Sequence, residues 1–115
     1  MASVASKRKE ALASTARTAS ENSLPISLPP DATDIGIVIK TTAFTSGTFT
    51  AQLQTSFDGT TWLDVAGAVS TAIAATGEEH KFASAPCLAM VRIELVGATT
   101  PVATNEVFIV YGQNN

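Results

Sequence analysis

Hydrophobic and polar residues alternate along residues 48–56 of this chain, and along residues 88–96 a mixed set that includes Arg92 and Glu94 alternates with a wholly apolar set. A period of two places alternate side chains on opposite faces of an extended strand, so both segments are predicted to be β-strands with one buried face. One face of the first segment carries Phe49, Ala51, Leu53 and Thr55, and one face of the second carries Ala89, Val91, Ile93 and Leu95.

β-Branched and aromatic residues bounded by turn residues predict further short strands over residues 34–42, 61–66, 80–83 and 106–111. Turns are predicted at Ser46-Gly47, at Asp58-Gly59 and at residues 77–79, and a turn-rich loop at residues 97–105. Seven or eight short strands joined mostly by hairpin-length turns are typical of an antiparallel β-sandwich of jelly-roll or immunoglobulin-like type. The predicted fold class is therefore all-β.

The first 24 residues are rich in Ala, Ser and Thr and contain no Gly or Pro. This composition predicts an extended or partly helical arm, in which residues 7–16 form the helical part. Pro25, Pro29 and Pro30 follow and favour an extended hinge. We therefore expect an N-terminal arm with a Pro-rich hinge over residues 1–31, and a β-sandwich domain over residues 32–115.

Charge is distributed unevenly along the chain, whose net charge is −3. Residues 1–24 carry four basic and two acidic side chains, whereas residues 25–115 carry three basic and eight acidic ones. An acidic body binds phosphate backbones poorly, so direct nucleic-acid binding is not expected. The basic residues of the arm, which are predicted to contact an acidic partner surface, are Lys7, Arg8, Lys9 and Arg17.

Catalytic chemistry is not expected, because the residue types that it requires are scarce. His80 is the only histidine and Cys87 the only cysteine, which leaves few ways to build a nucleophilic or zinc site. Cys87 has apolar neighbours and is expected to be a buried, inert thiol. The chain is therefore expected to be no enzyme and to hold no cofactor or metal.

Two further patterns concern the compartment. No run of about 18 apolar residues occurs, so no membrane span is expected. The basic residues near the N-terminus are not followed by an apolar signal-peptide core, so we expect a soluble protein in a reducing compartment.

Trp62 follows the predicted Asp58-Gly59 hairpin and is the only tryptophan. One interpretation is that its ring caps the core of the sandwich. The other is that it forms an exposed aromatic platform for a sugar or a partner protein. The sequence leaves both interpretations open.

Three segments together resemble the small β-sandwich proteins of tailed bacteriophages. They are the Q-x-S-x-D-G-x-x-W pattern from Gln54 to Trp62, the VRIEL segment from Val91 to Leu95, and the closing VFIVY segment from Val107 to Tyr111. With the length of the chain and its terminal arm, the pattern is most similar to the capsid decoration, or cement, proteins, and the likeness covers about two-thirds of the chain.

The resemblance implies a structural virion protein on the outside of an icosahedral capsid, made in the host cytoplasm. It implies the major capsid protein as partner and a homo-oligomer, either a dimer or a trimer. The alternatives are a carbohydrate-binding or tail/adhesin module and a head–tail completion protein. In addition to the four basic residues, the arm and hinge residues expected to contact the partner are Leu24, Ile26 and Leu28.

Overall fold

The computed structural model describes residues 7–113, and these residues form seven strands of one antiparallel sheet. The strands are β1 (Lys7–Arg17), β2 (Glu21–Asn22), β3 (Ile26–Ser27), β4 (Ala32–Ser56), β5 (Leu63–Val69), β6 (Gly77–Phe82) and β7 (Met90–Gln113). The prediction of an all-β, antiparallel fold is confirmed.

The centre of the sheet is a long ribbon formed by β4 and β7. The two strands pair from Ala32 opposite Gln113 to Ser56 opposite Met90. A straight strand of 25 residues would be about 80 Å long at about 3.3 Å per residue. The longest dimension of the molecule is 42 Å. The ribbon therefore bends.

The bend lies where Gly47 of β4 faces residues 99–101 of β7. The register shifts between Ser46 and Thr48, and Gly47, Thr99 and Thr100 all have positive φ angles, of 72°, 59° and 52°. Only glycine adopts such a φ without strain. A Cβ on Gly47 would also lie 2.6 Å from the Cα of Pro101. The predicted loop over residues 97–105 is wrong, because both strands turn this corner together and resume pairing after it.

The flanking strands divide the ribbon into two halves. In the half that contains the C-terminus of β7, β1 pairs with β7 and β6 pairs with β4. In the half that contains the Asp58-Gly59 turn, β2 and β3 pair with β7, and β5 pairs with β4. We call these the terminal half-sheet (β1, β6 and residues 32–44 and 102–113) and the hairpin half-sheet (β2, β3, β5 and residues 48–56 and 90–98).

One hydrophobic cluster draws side chains from both halves. Its largest fully buried members are Phe49, Ile37, Ile39, Leu53, Ile93, Leu95, Ile109, Val91 and Val107. In the two alternating segments, the buried face is the one that carries Phe49 and Leu53 in residues 48–56 and the one that carries Val91, Ile93 and Leu95 in β7; Ala89 is exposed and precedes the strand. Burial of these aliphatic side chains is the main stabilising contribution to the fold.

The expected helix over residues 7–16 is wrong, because Lys7–Arg17 forms strand β1. An isolated short helix with a single large apolar residue is marginal in water. As a strand, the same segment pairs with the backbone along one edge of β7 and buries Leu12, which is 4% exposed. Tertiary pairing therefore overrides the helix propensity of the alanines.

The Pro-rich hinge is extended as far as Leu28 and then turns at residues 30–31, where the Ala32 amide donates to the carbonyl of Pro29 at 3.1 Å. Leu28 donates its amide to the carbonyl of Ala89 at 3.0 Å, next to the short strand β3. Strand β4 begins after the hinge, at Ala32. Residues 7–31 nevertheless lie against β7 for most of their length, in the same sheet as the rest of the chain.

Candidate binding surfaces

The basic end of β1 is exposed. Lys7 and Lys9 pair with Tyr111 and Ile109, whose side chains point to the core, so both lysines lie on the inward side of an edge strand. Arg8 points outward, and its guanidinium carbon lies 4.9 Å from the ring centroid of Phe108. Charged residues on the inner side of an edge strand hinder the pairing of a further strand. Lys7 and Lys9 are exposed, so their ammonium groups are accessible to a partner.

Arg17, the fourth predicted basic contact, is buried at 5% exposure. Its guanidinium donates to the carbonyl oxygens of Ala13 at 2.7 Å and of Asn105, and it forms an ion pair of 3.0 Å with Glu21. The register of β1 shifts between Leu12 and Thr15, and these bonds replace the ladder bonds lost there. The charge of Arg17 is thus used within the chain, and its predicted contact with a partner stays a prediction.

The hinge residues separate into exposed and packed side chains. Leu24 is 83% exposed, whereas Ile26 and Leu28 pack against the chain's own core. Ser23 fixes this arrangement, because it is buried and bonds to the backbone of Ile93. Of the three predicted contacts in this segment, Leu24 is the one whose side chain is available to a partner.

The predicted hairpin at Asp58-Gly59 has a well-bonded turn. One carboxylate oxygen of Asp58 accepts from the amides of Thr60 and Thr61 at 2.9 Å each. These bonds, that from Thr61 foremost, hold the pKa of Asp58 below its ordinary value. Phe57 lies at this turn and is 83% exposed. Sequence reasoning missed Phe57, although its place beside a tight turn was the signal that its ring has nothing to pack against.

Trp62 lies outside the core cluster and is half-exposed. The guanidinium carbon of Arg92 lies 4.6 Å from its ring centroid, which is a cation–π contact. Arg92 Nε donates to Gln54 Oε1 at 2.8 Å, and Gln54 Nε2 donates to Asp64 Oδ1 at 2.9 Å. Arg92 alternates with buried Val91 and Ile93. We call this network on the outer face of the hairpin half-sheet the Trp62 platform (Trp62, Arg92, Gln54, Asp64).

Leu24 and the Trp62 platform belong to opposite edges of the hairpin half-sheet. Leu24 lies between β2 and β3, which pair with β7, and Trp62 immediately precedes β5, which pairs with β4. Leu24 is exposed and Trp62 is half-exposed. Both side chains are therefore accessible to a partner.

A second surface is an open groove of about 410 Å³ on the outer face of the terminal half-sheet. Its lining combines apolar and charged side chains, namely Arg8, Glu10, Val38, Lys40, Glu78, Glu106, Phe108 and Val110. A hydrogen bond with Glu106, followed by partial desolvation and charge repulsion, raises the pKa of Glu10. The groove therefore combines an apolar floor with closely spaced charges of both signs.

The residues considered for chemistry lie apart. His80 is exposed, and its ring makes an edge contact with Phe82 at 6.0 Å between centroids. Cys87 is half-buried, and desolvation raises the pKa of its thiol, which disfavours the reactive thiolate. Within residues 7–113, no three His, Cys, Asp or Glu side chains are grouped as metal ligands. The same residues contain no helix that is long and apolar enough to cross a membrane.

Comparison with known proteins adds no relative to this picture. No protein-family description matches the chain, and no curated protein matches it.

Proposed function

We propose that this protein is a non-enzymatic structural protein of a virion, which binds the outside of an icosahedral phage capsid and holds neighbouring subunits of the major capsid protein together. The observation that carries the proposal is the pair of exposed cations, Lys7 and Lys9, at one edge of an otherwise acidic molecule. The pairing order of the strands and the exposed Leu24 support it.

The pairing order supports a two-layered jelly roll. If β4 and β7 are divided at their bend and β2 and β3 are counted as one, the chain has eight strands. In chain order, the terminal half-sheet then contains strands 1, 8, 3 and 6, and the hairpin half-sheet contains strands 2, 7, 4 and 5. This is the strand order of a jelly roll. A shared core between the halves and a shortest dimension of 21 Å suit two packed layers.

Jelly rolls recur in viral capsid proteins and in lectins, and the fold alone does not choose between them. Two surface features favour the capsid. Lys7 and Lys9 place two cations at the edge of an otherwise acidic molecule, which suits an acidic partner surface. Leu24 is 83% exposed among residues 7–113, and burying it against a partner would remove apolar surface from water.

A binding assay with capsid shells that lack the protein tests this proposal. The wild-type protein is expected to sediment with the shells. The double variant Lys7→Glu/Lys9→Glu and the single variant Leu24→Ser are each expected to bind at least about tenfold more weakly. Lys81→Glu, on strand β6 at the opposite edge of the terminal half-sheet from Lys7 and Lys9, is the matched charge control and is expected to bind normally. Failure of the folded wild-type protein to bind any shell would overturn the proposal.

The Trp62 platform supports a second candidate function, the binding of a carbohydrate. A half-exposed indole beside a guanidinium, an amide and a carboxylate combines the apolar face and the polar partners that sugars require. If the protein binds a carbohydrate through this platform, Trp62→Ala abolishes binding of the glycan that the wild-type protein binds on an array. The substitution leaves the domain folded. Phe57→Ala, which removes another exposed aromatic ring, is the control. A wild-type protein that binds no glycan on the array would exclude this function.

A further inference from the structure

The outer face of the terminal half-sheet has a regular arrangement of side chains. Its outward residues form three rows across the strands, in the order β6, β4, β7 and β1. The first row is Phe82, Gly36, Val110 and Arg8; the second is His80, Val38, Phe108 and Glu10; the third is Glu78, Lys40 and Glu106.

The centre of this face is apolar and its border is charged. Val38, Phe108 and Val110 are half-exposed, and Phe82 is 45% exposed. Charged side chains of both signs surround them and line the groove described above. An apolar patch with a polar rim is the usual composition of a protein–protein interface.

We propose that this face binds a second copy of the same chain, packed face to face across a two-fold axis that runs parallel to β4 and β7 and passes between them. The reason for a second copy is charge complementarity. Such an axis reverses the order of the strands and keeps each row opposite itself, so that β4 of one copy faces β7 of the other.

In the third row this axis places Lys40 opposite the partner's Glu106, and Glu106 opposite the partner's Lys40. In the second row the axis places Val38 opposite the partner's Phe108, and Glu10 opposite the partner's His80. The only ion pair among residues 7–113 is the one between Arg17 and Glu21, so Lys40 and Glu106 enter the interface without an ion pair of their own.

In the first row the same axis places Arg8 opposite the partner's Phe82. In the free chain, the guanidinium of Arg8 lies over the ring of Phe108. Pairing moves it from that ring to the partner's, which exchanges one cation–π contact for another. At the centre of this row the axis places Gly36, which has no side chain, opposite the partner's Val110, which has a small apolar one.

The alternative two-fold axis, perpendicular to the strands through the second row, is unfavourable. It would place Glu106 against the partner's Val110 and Glu78 against the partner's Phe82. Carboxylates buried against apolar groups without a partner are strongly destabilising. The arrangement of residues therefore selects the axis parallel to the strands.

The size of the face sets the expected strength. Four strands about 4.8 Å apart give the face a width of about 19 Å. With a similar extent along the strands, the contact area is roughly 400 Å² on each copy. A total near 800 Å² is at the low end for specific interfaces, so the dimer is expected to be weak, with a micromolar dissociation constant or weaker.

Sedimentation velocity over a concentration series from about 1 µM to about 1 mM tests the proposal. The wild-type protein is expected to change reversibly from monomer to dimer. Lys40→Glu and Glu106→Lys each create two like-charge contacts across the axis, and each is expected to weaken the dimer at least about tenfold. The double variant Lys40→Glu/Glu106→Lys restores both contacts and is expected to return the dissociation constant to within about threefold of the wild-type value.

Glu94→Lys makes the same charge change as Glu106→Lys on the opposite half-sheet and is the control, with no expected effect on the dimer. Circular dichroism establishes that each variant is folded, and Phe82→Ser provides a second variant without a charge change that is also expected to weaken the dimer. A wild-type monomer throughout the series, a trimer, or single charge variants that dimerise normally would each overturn the proposal. Because capsid binding is measured separately, these results do not depend on the proposed function.

Discussion

Ser23 and Ile93 exchange two hydrogen bonds, each 2.8 Å long: the Ser23 amide donates to the Ile93 carbonyl, and the Ile93 amide donates to Ser23 Oγ. Both residues are buried. The contact fixes the N-terminal segment to β7 between the short strands β2 and β3, and it turns Leu24 toward solvent.

Ser23→Ala is therefore expected to lower the free energy of unfolding by about 1–3 kcal/mol, because it leaves the buried amide of Ile93 without an acceptor. Chemical denaturation checks the value. Ser27→Ala, at an exposed position of β3, is the control and should stay within about 0.5 kcal/mol of the wild type. Equal stabilities for the two variants would contradict the assigned role of Ser23.

Deletion of residues 1–17 tests whether the N-terminal segment is part of the fold. The deletion removes the buried Leu12 and Arg17 and leaves one edge of β7 unpaired. We expect loss of cooperative thermal unfolding, since Leu12→Ala alone should cost about 2–5 kcal/mol. Lys9→Ala serves as a control with an effect within about 0.5 kcal/mol. A truncated protein that unfolds at the wild-type temperature would show that the segment is a dispensable arm.

Gly47→Ala tests the bend of the long ribbon. The positive φ of Gly47 and the closeness of its missing Cβ to Pro101 predict a loss of more than about 2 kcal/mol of stability. Gly77→Ala is a useful comparison, because a Cβ there meets no atom within 4 Å although φ is also positive, at 141°. If Gly47→Ala is as stable as the wild type, the two strands do not bend at this position.

The pH dependence of stability is expected to change in Glu10→Gln. The pKa of Glu10 is raised above its ordinary 4.5 in the folded protein, first by the hydrogen bond with Glu106. A raised pKa means that the folded state binds the proton more tightly, so this contribution to stability is present at low pH and is lost as the pH rises through the folded pKa.

The Gln variant is therefore expected to be more stable than the wild type at neutral pH, and the difference should shrink as the pH falls through the folded pKa of Glu10, which lies above its ordinary 4.5. Thermal unfolding over a pH series measures it. Glu21→Gln is an unsuitable control because Glu21 pairs with Arg17, whereas Glu94→Gln makes the same change on the other half-sheet. A Gln variant that is less stable than the wild type at neutral pH would contradict the close carboxyl pair.

Alternation of residue types was sufficient to predict strands around Leu53 and Ile93. Leu53 alternates with polar residues over a full strand, and Ile93 lies between Arg92 and Glu94. The Asp58-Gly59 turn was also predictable, since the Asp side chain and the positive φ of Gly59 are local properties. The strand at Lys7–Arg17 was not, because its alanines favour a helix in isolation and only the unpaired edge of β7 makes it a strand.

The candidate surfaces depended even more on pairing between distant segments. The contact between Arg92 and Trp62 joins β7 to the start of β5, and the row of Lys40 and Glu106 joins β4 to β7. Their register is set by the bend at Gly47, where one residue of β4 faces three of β7. No local pattern encodes that offset, so these groupings required the structure.

The copy number of the protein in purified virions tests the proposed function most directly. Quantitative mass spectrometry against the major capsid protein provides the measurement. A decoration protein follows the symmetry of the shell, so the account predicts a fixed stoichiometry corresponding to hundreds of copies per particle. Six or twelve copies would indicate a connector or tail component, and absence from the particles would contradict the account.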